Sequence, residues 1–391
     1  MKKVLAVLLA AVMSVSVFAG CGNKAETGGE TQTESKNAEA SDDSDTIKVA
    51  VVAALTGQYS DYGFAVKTGC ETAVKQWNDK GGINGKQVEM VTYDEKGERE
   101  EGLALAQLIT GEDDIYGVVG HFMSTTVVGK LYGDARMPLI CPTASAEAYS
   151  SQSDCTFRLN PTIKVETEAM LTCADAVGKK KLGVVYLNDD WGNRAYKTLE
   201  GILEENNPGG YEIVAAEPIL GGDMDYSSVI SNLKAAGAES SIMFCYYDSV
   251  VPFSIKAASA YPELNIVCGG NCYNDTFLSV GGKDVEGCLA PTVFDASQDT
   301  EVVKTFVKDY EALADGAVPS NISAQAYDAM SVMLEAIDSV GGKLDREAII
   351  AAVRDNNHEG AIGPCAFDEN RDAKMTFTAM KVEDGKWVPC K

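Results

Sequence analysis

From Thr46 onward the chain alternates short β-branched apolar runs with longer stretches of helical period. No other feature restricts the fold as strongly. "IKVAVVAAL" (47–55) has the length and composition of a buried strand. "GFAVKTGCETAVKQWNDK" (63–80) follows, with Val66, Cys70, Ala73, Val74 and Trp77 on one helical face and Glu71–Lys75 as an i,i+4 pair on another. Gly81 and Gly82 stop that helix. Next come a strand over 86–94, a helix over about 98–110, "IYGVVG" (115–120), a helix from about 124, and "MPLICP" (137–142). Strands joined by helical crossovers pair in parallel, with helices on both faces of the sheet.

The pattern restarts after "FRLNPT" (157–162): helix 164–178, strand 181–189, helix 191–206 and strand 211–219. Asp225 then caps the helix of "DYSSVISNLKAAG", and further strands fall at "SIMFCYYD", "LNIVCGG" and "GCLAPTVFD" (287–295). Long helices over 300–314 and 324–340, a shorter one over 345–355 and a strand-like C-terminus complete the chain. The expected fold class is therefore α/β, with two Rossmann-like lobes and a cleft between them. In open α/β sheets ligands bind off the carboxyl ends of the strands, so the residues just after each strand are the ones to examine.

The N-terminus has a different character. Lys2 and Lys3 precede an apolar run, and Ala19 and Gly20 precede Cys21, as in a secretory signal segment over 1–20. "FAGC" resembles a bacterial lipoprotein box, cut before a cysteine that is then acylated, although Phe18 replaces the usual aliphatic residue. Residues 21–46 contain almost no large apolar side chain and form an expected disordered tether. A lipid on Cys21 then places the domain at the extracytoplasmic face of the cell membrane. Ten cysteines remain besides Cys21, in no tight framework, so pairs and buried thiols are both open. With only His121 and His358 and no CxxC pair, neither a metal nor a cofactor is expected. A net charge of −25 argues against nucleic acid.

"VVGHFMSTTVVG" (118–129) raises the question of catalysis, because His121 precedes Ser124, Thr125 and Thr126. No carboxylate nearby in sequence orients the histidine, and no GxSxG, HExxH, Walker or GxGxxG signature occurs. The strand-end segments instead offer Thr143, Ala144 and Ser145 in "CPTAS", with hydroxyls dominating in the first half, and aromatics with a few acids in the second, among them Tyr246, Tyr247 and Asp248. Hydroxyls beside a helix N-terminus suit a small anion, and aromatics suit an apolar side chain.

"IKVAVVAALTGQYSDYGFAVKTGCETAVKQWNDKGGINGKQVEMVTYDE", "GVVGHFMST", "PLICPTAS" and "DMDYSSVISNLKAAG" resemble the branched-chain amino acid binding proteins of ABC importers, a periplasmic-binding-protein type I family. The resemblance implies a three-strand hinge, closure around one ligand, no enzymatic activity, a monomer, and delivery to an ABC permease in the membrane. It implies one lobe over 47–165 and 296–364 and another over 166–295 and 365–391. By the family pattern Ser124, Thr143 and Ser145 hold the ligand's carboxylate and amino group, with Ala144 between the last two as a further ligand-binding candidate, Tyr62 lines the side-chain pocket, and Trp191 and Tyr247 supply aromatics. Asn271 stands where the family commonly carries an acid for the ligand ammonium. Asp190 and Asp248 are then the substitutes, or the ligand is an amide, a urea-like compound or a simple carboxylate. A family disulfide between the second strand's end and the "GH" loop cannot form, since neither "YDEKGE" nor "HFMS" contains cysteine. A sensing module for a membrane receptor is the alternative role.

Overall fold

The computed structural model describes residues 46–390 apart from Pro208. The signal segment, Cys21 and all of the tether but Thr46 lie outside the described residues; Thr46 is the first residue of a strand. The first lobe begins with β1 (Thr46–Ala53), α1 (Ser60–Asp79), β2 (Gln87–Asp94), α2 (Arg99–Thr110), β3 (Ile115–Gly120), α3 (Thr125–Asp134), β4 (Leu139–Cys141) and β5 (Thr156–Arg158). The second holds α4 (Ile163–Ala176), β6 (Lys181–Leu187), α5 (Asp190–Glu205), β7 (Glu212–Ile219), α6 (Ser227–Ala236), β8 (Ser240–Phe244), α7 (Tyr247–Ala260), β9 (Asn265–Cys268), α8 (Asp275–Gly281) and β10 (Leu289–Thr292). The chain returns to the first lobe with α9 (Glu301–Leu313), α10 (Asn321–Ser339), α11 (Arg346–Arg354) and the two-residue strands β11 (Glu359–Gly360) and β12 (Gly363–Pro364). It ends in the second with β13 (Thr378–Glu383) and β14 (Lys386–Pro389).

The first sheet has the order β2-β1-β3-β4-β5 and is parallel throughout. The second, β14-β13-β10-β9-β8-β6-β7, is parallel except for the antiparallel C-terminal hairpin on one edge. The uniformly apolar strands follow from burial on both faces. In β1, Val49, Val51 and Ala53 enter one core with Phe157, Met330 and Met333, while Ala50 and Val52 enter another with Ile109, Val118 and Tyr132. β6 alternates likewise between two cores of the second lobe.

Local details depart from the sequence expectation where nearer partners win. Helix α1 starts at Ser60, and Glu71 pairs back to Lys67 while Lys75 pairs forward to Asp79, so the pair Glu71–Lys75 does not form. Asp225 sits one residue before the N-cap position of α6, which is Tyr226, and accepts from Ser227 N at 3.0 Å in a local turn. Cys70, Cys141, Cys155, Cys173, Cys245, Cys268, Cys272, Cys288, Cys365 and Cys390 are free thiols, all buried except the half-buried Cys390. No helix among the described residues is long and apolar enough to cross a membrane.

The chain passes between the sheets three times. The last passage is pinned to the first lobe well beyond residue 365. Arg158, buried in β5, makes a bidentate pair with Asp372 at 2.8 Å for each bond, and its amide donates to Arg371 O. Residues 371–373 therefore lie along the edge of the first sheet, because the buried guanidinium needs that carboxylate. Upstream, Asp328 of α10 accepts from Ala361 N at 2.9 Å and Ile362 N at 2.8 Å, which fixes the start of the same passage.

His358 faces Asp328 and Glu335, with Nδ1 2.8 Å from Glu335 Oε1. Burial opposes its charge, but the two carboxylates outweigh it and push the pKa up to about 9. A folded-state pKa above the unfolded value gives stability that is complete below about pH 6.5 and lost as pH rises through about 9. The melting temperature of the wild-type protein should therefore fall relative to His358→Gln between those pH values, read by thermal unfolding across a pH series.

Candidate functional site

Strand-end loops of both lobes enclose a cavity of about 370 Å³. Its first-lobe wall is organised by a carboxylate that does not line it. Glu95, fully buried just past β2, accepts from Phe122 N and Met123 N, each at 2.7 Å, through Oε1. Oε2 accepts from the Ser124 hydroxyl at 2.7 Å and faces His121 Nδ1 at 3.2 Å. His121 Nε2 lies 2.8 Å from the Tyr132 hydroxyl, which closes the network. Gly120 permits the turn into this loop, with φ +133° and no room for a Cβ beside Val52 O. Gly102 of α2 lets that helix approach Ser124 and Glu95, where a Cβ would stand 2.2 Å from Ser124 Oγ.

The serine–histidine pair of "VVGHFMSTTVVG" therefore has its carboxylate, brought from a distant strand. Ser124, His121 and Glu95 are sealed from the cavity, and the serine proton is directed at Glu95. The group holds a loop together and has no access to a substrate. It also joins the segments "YDEKGE" and "HFMS", the two that would carry the family disulfide, by hydrogen bonds instead.

Four of the expected ligand residues line the cavity: Thr143, Ser145, Trp191 and Asn271. The other four lie elsewhere. Ser124 points inward to Glu95, and the next two residues, Thr125 and Thr126 at the start of α3, take the cavity wall. Ala144 is fully buried in a core of the first lobe. Tyr62 is buried behind the wall, stacked on Phe122 at 5.9 Å between ring centroids. Tyr247 is the first residue of α7 and turns out of the cavity, where its hydroxyl donates to Asp61. Its neighbour Tyr246, in extended conformation at the end of β8, faces the cavity and stacks on Trp191 at 5.1 Å and 23°. Of the two acids considered for the ligand ammonium, Asp190 lines the cavity in an exposed position, whereas Asp248 accepts from Gln58 at 3.1 Å outside it.

The hydroxyls differ in what they can offer. Thr143 donates to His121 O, so its oxygen is left to accept. Ser145, Thr125 and Thr126 have side-chain hydroxyls that no described group engages. Trp191 and Tyr246 from the second lobe meet Phe122 and Tyr59 of the first in a continuous aromatic column, with Tyr59 5.1 Å from Tyr246 and 5.3 Å from Phe122. Sequence reasoning passed over Phe122, two residues from the chosen Ser124, and of the neighbours Tyr246 and Tyr247 it settled on Tyr247, the one that turns away. It passed over Glu166 altogether, because an acid in the first turn of a helix carries no signal beyond its favourable place on the helix dipole.

The lobes touch across the cleft through Gln58–Asp248, Tyr247–Asp61 and Tyr247 N to Tyr62 Oη at 3.3 Å. Tyr247→Phe removes one of these bonds without altering the cavity. It should destabilise the closed form by about 1 kcal/mol and weaken ligand binding roughly fivefold through faster release, read by stopped-flow fluorescence. Glu95→Ala strands several buried donors and should cost at least about 3 kcal/mol of stability, read from the urea midpoint.

A model of the periplasmic binding protein family matches residues 46–386. The Leu/Ile/Val-binding protein homolog 3 of Brucella melitensis is 28% identical over 353 residues, covering 88% of this chain and 93% of that protein. The leucine-, isoleucine-, valine-, threonine- and alanine-binding protein of Pseudomonas aeruginosa is 27% identical, covering 84% of this chain and 88% of that protein. Among solved structures, the branched-chain amino acid transporter substrate-binding protein LivJ of Streptococcus pneumoniae, in complex with isoleucine, superposes with a TM-score of 0.79 at 23% identity, covering 88% and 97% of the two chains. A solute-binding protein from R. palustris in complex with benzoate gives the same TM-score at 19% identity, covering 88% and 95%.

Proposed function

This chain belongs to the periplasmic binding protein family as an extracytoplasmic solute-binding protein of the ABC-transporter kind, and we propose that its ligand is a branched-chain amino acid or a related small amino-acid-like molecule. The observation that carries the reading is the division of one cavity between two chemistries. Free hydroxyls of Ser145, Thr125 and Thr126 stand on the first lobe, where the start of α3 adds its dipole to the binding of a carboxylate. The stacked Trp191–Tyr246 pair of the second lobe covers an apolar side chain. A ligand held by both walls bridges the lobes and biases the hinge toward closure, and an ABC permease reads the closed form. Acylation of Cys21 and the tether would keep the protein at the membrane surface. The relatives' names support the amino-acid reading.

A second reading is a simple or aromatic carboxylate. The aromatic column favours it, as does the benzoate complex of a protein with the same fold.

A thermal-shift panel of neutral amino acids, amides, urea and small carboxylates tests the proposal. Branched-chain amino acids should raise the melting temperature, and Ser145→Ala should weaken their binding by about 5–150-fold. If nothing in the panel shifts the melting temperature, or if the shifts survive both Ser145→Ala and Trp191→Ala, this reading of the cavity fails.

A further inference from the structure

Glu166 stands in the first turn of α4, where the Thr162 side chain already caps the helix by accepting from Val165 N. An acid in this place ordinarily serves the helix dipole from the surface. Here it lines the ligand cavity. Oε1 accepts from Gly270 N at 2.9 Å, and Glu166 has no other hydrogen bond and no ion pair among the described residues. Gly269 makes room for it, since a Cβ there would stand 3.1 Å from Oε1, tighter than an ordinary contact. The segment after β9 is thus shaped around a carboxylate. Burial raises the pKa of Glu166, and the single amide bond offsets this only in part.

The other acids of the cavity are differently placed. Asp189 caps α5 by accepting from Gly192 N at 2.7 Å, and both Asp189 and Asp190 are exposed at the mouth, where water satisfies their charge. Asn271 is neutral. Arg99 and Arg194 also line the cavity, but both are exposed and neither comes within ion-pair distance of Glu166. A carboxylate inside a closing cavity with one hydrogen bond then lacks a partner, and leaving it so is costly. The partner has to arrive with the ligand.

We infer that Glu166 recognises an ammonium group on the ligand, so that the cavity selects α-amino acids over the corresponding carboxylates and amides. The inference rests on reading the cavity as the site of a small amino-acid-like ligand, and it narrows that reading to zwitterions. The ligand carboxylate goes to the hydroxyls of the first lobe and the ammonium to Glu166 of the second, with the Thr143 oxygen as a further acceptor. Each charge then belongs to a different lobe, and closure brings the two together. The preference is built without the acid that the family commonly carries at the position of Asn271.

The test is calorimetric titration of the wild-type protein and Glu166→Gln with L-leucine, or with whichever amino acid shifts the melting temperature most, and with its des-amino analogue, 4-methylpentanoate for leucine. Glutamine keeps the shape and the acceptor for Gly270 N, and the melting temperature of the ligand-free variant checks its fold. The wild-type protein should prefer the amino acid. Glu166→Gln should lose about 30-fold or more on it and nothing on the des-amino acid. Amino-acid affinity retained within threefold in Glu166→Gln overturns the inference, and would fit a protonated Glu166 donating to the ligand. Equal wild-type affinity for the two compounds overturns it as well. If only the carboxylate binds and Ser145→Ala weakens it, the inference falls while the cavity reading stands. Binding insensitive to Ser145→Ala sinks the cavity reading itself.

Discussion

The buried carboxylate of Glu95 is the interaction on which the first lobe's half of the site depends. A loop that turns sharply at Gly120 leaves two amides and a serine hydroxyl facing inward, where no water can reach them. Glu95 accepts all three and also faces His121, so one side chain from the end of β2 sets the shape of the loop after β3. That shape turns Ser124 away from the cavity and puts Thr125 and Thr126 at its wall. The arrangement resembles a catalytic triad only in composition. Its polar atoms are spent on each other, and the resulting rigidity lets the beginning of α3 present fixed hydroxyls to the cavity.

The second lobe contributes in a complementary way. Its aromatics rise from the ends of β6 and β8, and the least exposed of the acids lining the cavity, Glu166, comes from the first turn of α4. The hinge is kept in register by buried ionic groups, chiefly Arg158 with Asp372 and Asp328 with the amides of Ala361 and Ile362. Replacing such groups singly leaves an unpaired charge, which is why they specify where the last passage between the lobes begins and ends. Contacts across the cleft such as Tyr247–Asp61 are partly exposed and individually weak.

Much of this was legible in the chain. The buried strands, the amphipathic helices between them and the repetition of the unit follow from hydrophobic period alone. The cleft follows from the rule that ligands sit off the carboxyl ends of parallel strands. Thr143, Ser145, Trp191 and Asn271 were chosen on that basis and line the cavity. Ser124 and Tyr247 illustrate the limit. Each lies one residue from the side chain that faces the cavity, because successive residues at a strand end or helix start point in different directions, and the direction is set by a partner far away in sequence. Ser124 is turned by Glu95, 29 residues before it, and Tyr247 is drawn off by Asp61, 186 residues before it.

The sequence by itself determined the class of fold, the number of lobes and the segments that meet at the cleft, since these rest on local periodicity and on the chirality of β-α units. Only the tertiary structure decided which side chain of each segment faces the cavity and which charges are compensated within the protein. His121 and Ser124 acquire their carboxylate, and so lose their freedom, only when β2 and β3 pair with the same central strand. Glu166 is an ordinary helix-start acid until the glycines after β9 pass beside it. Both outcomes depend on contacts between residues distant in the chain, which no local pattern records.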